Sequence, residues 1–127
     1  MKFTIPGRLP GLNEIIGQAR YSRFEGAIQK KKQTELCMFW INAHKLLPVT
    51  SPVKVHFDWY EPNMKRDPDN IRAGAKFILD ALVEASILPK DSRKWVKGLS
   101  DAFPDPDAQN PRVEVQIEEI MLQPGGD

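Results

Sequence analysis

The chain has 127 residues, which suits a single domain, residues 1–127, built on one core. Its 41% hydrophobic and 28% charged residues place it among folded globular chains and exclude a disordered one. The net charge of +1 gives no global pull toward nucleic acid, so any such contact has to come from local clusters.

Lys2 to Pro6 is expected to form a strand, with Phe3 and Ile5 alternating against Lys2 and Thr4. The start lacks the apolar stretch of a signal peptide, and no later run approaches the roughly 20 apolar residues of a bilayer span. A cytoplasmic location and no membrane partner are therefore expected. Pro6-Gly7 and Pro10-Gly11 punctuate the chain, and residues 7 to 24 read as a Gly- and Arg-rich loop. A helix is expected from about Phe24 to Leu47, stopped by Pro48. Its apolar stripe runs through Ile28, Leu36, Phe39 or Trp40, Ala43 and Leu47, with Phe39 and Trp40 assigned to the core. The only cysteine, Cys37, cannot form an intrachain disulfide, and its apolar neighbours suggest a buried structural thiol.

Val53 to Tyr60 alternates as a half-buried strand, with Val53, Val55, Phe57 and Trp59 on one face. A second helix is expected to start at Asp67 or Asp69, with Pro68 in its first turn, and to end near Leu88-Pro89. Its buried stripe is Ile71, Ala75, Ile78, Leu82 and Ala85. Two more strands are expected around Trp95 to Leu99 and Arg112 to Ile120. The tail from Gln123 to Asp127 is expected to fray. The order β-α-β-α-β-β implies an α+β fold: two helices packed on one face of a four-stranded mixed sheet.

The segment richest in chemistry is Arg66-Asp67-Pro68-Asp69-Asn70, followed by Lys76, Asp80 and Asp91. Two carboxylates one residue apart suit a hard divalent cation, and phosphate-processing enzymes hold such ions with few carboxylates. At a helix start the macrodipole favours both the acids and a phosphate. On one continuous helix, Lys76 and Asp80 each fall about 20° from Asp69, and Arg72 about 60° away. That face is polar and lies opposite Ile78. Basic clusters at Arg20 with Arg23, Lys30 to Lys32, Lys65-Arg66, and Arg93-Lys94 with Lys97 can meet phosphates. Lys65-Arg66 adjoins the acids directly. Asp105-Pro106-Asp107 repeats the acidic triplet, but no helix with a matching lysine follows, so it reads as a solvated loop.

The order Asp67, Asp69, Asn70, Lys76, Asp80, Leu82 and Asp91 resembles the RusA family of Holliday junction resolvases. The resemblance covers Arg66 to Asp91. It implies a metal-dependent endodeoxyribonuclease that resolves four-way DNA junctions, acting as a homodimer in recombination and repair. By the same resemblance Asp67, Asp69 and Asp91 bind Mg²⁺ or Mn²⁺ and Lys76 assists catalysis. Lys65, Arg66 and Arg72 contact DNA, while Asn70 and Asp80 give structural support. Some members carry the lysine four residues after the second acid instead of seven, which makes Arg72 the alternative basic group. Two rival readings are a nuclease for other branched DNA and a junction-binding module that no longer cuts.

Overall fold

Val53, Val55, Phe57 and Trp59 are buried, while Lys54, His56, Asp58 and Tyr60 between them are not. A strand with this alternation has one face on the core and one toward water. The computed structural model describes residues 1–120, so the tail expected to fray lies outside the described residues. The elements are β1 (Lys2–Pro6), α1 (Leu12–Tyr21), α2 (Arg23–Ala43), β2 (Val53–Tyr60), α3 (Pro68–Arg72), α4 (Ala75–Glu84), β3 (Val96–Ala102) and β4 (Arg112–Glu119). The fold is α+β, with a four-stranded mixed sheet in the order β1-β4-β2-β3. Among the described residues no helix is long and apolar enough to cross a membrane.

Strand β4 pairs antiparallel with β1 and with β2, and β3 pairs parallel with β2. A parallel pair cannot be joined by a hairpin and needs a crossover. Here α3 and α4 supply it. The acid-rich segment is therefore the crossover itself, leaving the C-terminal end of β2. Phe57, Ile5, Ile41, Ile78, Leu82, Leu88 and Ile117 are fully buried between the sheet and the helices. Each such side chain contributes roughly 1.5–3 kcal/mol relative to exposure.

Several elements differ from the sequence expectation. Residues 12–21 form a helix where a loop was expected. No residue of α1 is buried, although Leu12, Ile15, Ile16 and Ala19 recur at helical spacing, a signal that the loop expectation passed over. Its ends are built instead: the Gly11 N–H donates to Glu14 Oε1, and Ser22 closes α1 while its Oγ caps α2 through the Glu25 N–H at 2.9 Å. Helix α2 ends at Ala43, because Lys45 turns into a left-handed conformation at φ 52°.

Helix α2 also turns a different side inward. Thr34, Cys37 and Ile41 are buried, whereas Ile28, Leu36, Phe39 and Leu47 are exposed. Thr34 is tolerated there because its hydroxyl donates to Lys30 O at 2.8 Å. Phe39 is 64% exposed, in a T-shaped pair with half-buried Trp40, so the core assignment of Phe39 is corrected. The helix is apolar on two sides, and periodicity alone picked the outer one.

The helix expected to run on from Asp67 is broken. Residues 73 and 74 separate α3 from α4, with Gly74 N–H bonded to Ile71 O and Phe77 N–H to Gly74 O in a tighter, three-residue pattern. A Cβ at Gly74 would stand 3.0 Å from Leu9 Cβ, so the close packing of the 9–11 segment favours glycine at the break. The stripe residues Ile71, Ala75, Ile78 and Leu82 are buried as expected, but α4 ends at Glu84 and not near Leu88, which leaves Ala85 beyond the helix and half-buried.

Burial pushes the Cys37 thiol up to about 12. The unfolded thiol ionises near its ordinary value of 9.0 and the folded one does not. Its contribution to stability is thus complete below pH 9.0 and lost as pH rises toward 12. Native protein should not react with an aromatic disulfide reagent. Its urea midpoint should fall more steeply above pH 9.0 than that of Cys37→Ala.

Candidate functional site

Chain direction off the end of β2 is set by a buried ion pair. Glu61 follows the strand and is 8% exposed. Arg66 grips it with two parallel bonds, Nε to Oε1 and Nη2 to Oε2, both 2.8 Å. The same guanidinium donates to Leu9 O at 3.1 Å and lies 3.5 Å from Glu14 Oε1. Arg66 was expected to contact DNA. That expectation is corrected: its side chain is only 10% exposed and its donors are spent inside the protein. Lys65 next to it stays exposed.

Asp67 and Asp69 emerge from this anchor. Asp67 stands at the N-cap of α3 with extended backbone, and its side chain makes no capping bond. Asp69 lies in the first turn, and both are exposed. Asn70 faces the other way, its Oδ1 accepting from the Asn13 N–H at 3.1 Å. It ties the start of α1 to α3. Gly11 makes room for this contact: a Cβ there would overlap Asn70 Oδ1 and stand 2.8 Å from Arg66 Nη1, so both side chains would have to shift off their partners.

Lys76 is held between two acids. Its ammonium lies 3.0 Å from Asp80 Oδ1, one helical turn on, and 3.4 Å from Asp91 Oδ2. The hydrogen bond that Lys76 donates to Asp80 is the main cause of its raised pKa, with Asp91 adding to it and partial burial opposing. Asp80 Oδ2 is buried without a hydrogen-bond partner, and Lys30 stands 3.7 Å away. Asp80 is thus a direct partner of Lys76 within α4. The break at residues 73 and 74 means that Lys76 and Asp69 do not share one continuous helix, so the angular alignment drawn from the sequence does not apply.

Arg72 points to the sheet. Its Nε bonds Asp101 Oδ2 at 2.9 Å, and Trp59 Nε1 donates to Asp101 Oδ1 at 2.8 Å. The Arg72 side chain remains 42% exposed, so one side of it stays open to a ligand. Glu61 and Asp101 were not singled out from the sequence. Each looks like an ordinary acid at a strand end, and only the fold reveals its arginine. In the second acidic triplet, Asp107 pairs with Arg112 at 2.9 Å, and Arg112 stacks 3.8 Å over Tyr60.

Among the described residues no three His, Cys, Asp or Glu side chains form a group that could hold a metal ion. Asp67, Asp69 and Asp91 are therefore not gathered as a complete cage. The donor chemistry still suits a hard cation: Asp67 and Asp69 are exposed carboxylates, and Mg²⁺ typically takes one or two carboxylates and completes its shell with water and substrate phosphate. No protein-family model and no curated protein matches this chain.

Arg66→Ala would strand the Glu61 carboxylate in a buried place. It should cost about 3–5 kcal/mol in urea unfolding. Arg66→Met combined with Glu61→Met should recover much of that loss, as expected when both charges of a buried pair are removed. Gly11→Ala should destabilise as well, by forcing Asn70 away from Asn13.

Proposed function

We propose that this chain is a metal-dependent endodeoxyribonuclease that resolves four-way DNA junctions by paired nicks. The observation that carries this reading is Lys76, fixed between Asp80 and Asp91 on α4, the helix after the short α3 that carries the exposed pair Asp67 and Asp69. Exposed acids one residue apart, followed along the crossover by a constrained cation, suit the hydrolysis of a phosphodiester, where negative charge builds on phosphate oxygens.

In this reading Asp67 and Asp69 hold Mg²⁺ or Mn²⁺, with Asp91 as the third acid. When bound, the ion makes a water nucleophilic and neutralises developing charge. Lys76 places a positive group against the phosphate. Its charge is secure: with the pKa raised above 10.5, the pairing is complete below that pH and lost only as pH climbs through the higher folded value. Lys65 and Arg72 meet the DNA backbone, and Arg66 holds the loop that presents the acids.

Asp67→Asn and Asp69→Asn should abolish nicking of a synthetic four-way junction at millimolar Mg²⁺ and leave its binding intact or tighter, since negative charge is removed. Near-normal nicking by either variant would take that residue out of the site. Lys76→Ala should lower the cleavage rate about 10²-fold or more with little change in junction binding, as for loss of one preorganised charge donor. Normal cleavage by Lys76→Ala alongside a dead Arg72→Ala would move the role to Arg72.

Paired cutting needs two sites related by two-fold symmetry, which a homodimer supplies. The outer side of α2 offers a seat for the second copy: Phe24, Ile28, Leu36 and Phe39 are exposed there, with Phe24 at 74% and Phe39 at 64%. Light scattering should give about twice 14.5 kDa, and Phe39→Asp should lower it toward one chain mass.

A further inference from the structure

Helices α1 and α2 and the start of α4 enclose a groove of about 410 Å³. Its origin is readable in α2. At 100° per residue, Gly26 lies about 20° from Cys37 and Ala27 about 20° from Thr34, so the core-facing side of the helix continues toward its N-terminus. There it carries the small residues Gly26 and Ala27 beside Arg23 and Lys30, which by the same spacing lie about 20° from Thr34 and Cys37. Ala19 on α1 is small as well, and the space that large side chains would fill stays open. Ile15, Ala19, Ala27 and Phe77 give it an apolar lining.

Three cations stand around this apolar floor: Arg23, Lys30 and Lys76. Their aliphatic stems extend the lining while their charged ends reach water. Gln18 and Gln29 add amides able both to donate and to accept. An apolar slot with cations at its rim, Arg23 together with Lys30 and Lys76 that also contact Asp80, matches an unstacked nucleobase, which brings a flat apolar ring and a phosphate on either side. The groove is also continuous with the site above. Lys76 lines it and is at the same time the ammonium bonded to Asp80 and Asp91.

We infer that this groove binds one nucleobase, displaced from the stack, of the nucleotide next to the phosphate that Lys76 meets. The inference rests on the nuclease reading, and it adds where the enzyme grips a branched substrate. Bases at the exchange point of a four-way junction are the cheapest to displace, because their stacking is already interrupted. Selection for a branch over plain duplex follows, since a continuous duplex must break full stacking to offer a base.

The test uses the full chain and a synthetic four-way junction carrying 2-aminopurine at each exchange-point position in turn. Binding is read in Ca²⁺ and cleavage in Mg²⁺. Wild-type protein should raise the fluorescence severalfold at one position, as the probe leaves the stack. Ala27→Leu and Ala19→Leu fill the slot from two different helices. Both should abolish the rise and cut cleavage about tenfold or more, the scale of losing one base contact. Their circular dichroism and urea midpoints should match the wild type, and both should still bind plain duplex with the wild-type salt dependence. If the wild type cleaves the junction with no fluorescence rise anywhere, and both filled variants cleave as it does, the groove is not a base site while the nuclease reading stands. If the wild type cleaves no branched DNA, both readings fall together.

Discussion

The arrangement of the candidate site depends on the pair between Glu61 and Arg66. Glu61 is buried at the end of the central strand, where an ionised carboxylate is costly unless its oxygens are satisfied. Arg66 satisfies both and then reaches Leu9 O and the neighbourhood of Glu14. One guanidinium thus joins the end of β2, the segment after β1 and the start of α1. Residues 62–65 are closed into a short loop, and Asp67 leaves from a fixed point. A lysine could not do this, because its ammonium lacks the planar fork that meets a carboxylate with two parallel bonds.

The crossover topology then decides which polar groups meet. The parallel pairing of β2 and β3 forces the chain over the sheet through α3 and α4, and returns it to β3 past Asp91. Lys76 and Asp91 are 15 residues apart and come within 3.4 Å by this route. Arg72 and Asp101, further apart still, meet because β3 runs back beside β2 and presents Asp101 next to Trp59. Acids and bases in this region are nearly all committed to one another. The exposed carboxylates of Asp67 and Asp69 stand out against that background, and they are the groups with which the chain can meet a cation or, through one, a phosphate.

The helices show what periodicity can and cannot resolve. Strand β2 and the stripe of α4 were legible, because each has a single apolar face and a clear period. Helix α2 has two apolar sides, and the choice between them needs knowledge of where the sheet lies. Helix α1 was legible in the spacing of Leu12, Ile15, Ile16 and Ala19 but was read as a loop because of the glycines and prolines before it; it buries nothing completely and is held by caps and by the bond from the Asn13 N–H to Asn70. The break between α3 and α4 answers a neighbour, Leu9, which lies far away in sequence. Arg66 beside two aspartates looked like a DNA contact for a similar reason: its charge is visible in the sequence, and its burial is not.

By itself, the sequence determined the strands, the α+β class, the buried stripe of the crossover helix and the set of chemically capable residues from Asp67 to Asp91. These follow from local alternation, helical spacing and residue type, which act over a few positions. The tertiary structure alone decided the order β1-β4-β2-β3, the inward turn of Arg66 and the partners Glu61 and Asp101. It also decided which side of α2 faces the core, and it left the groove where small residues meet. Those outcomes depend on contacts between segments distant in the chain, where burial costs and close packing choose among groups that look alike in sequence.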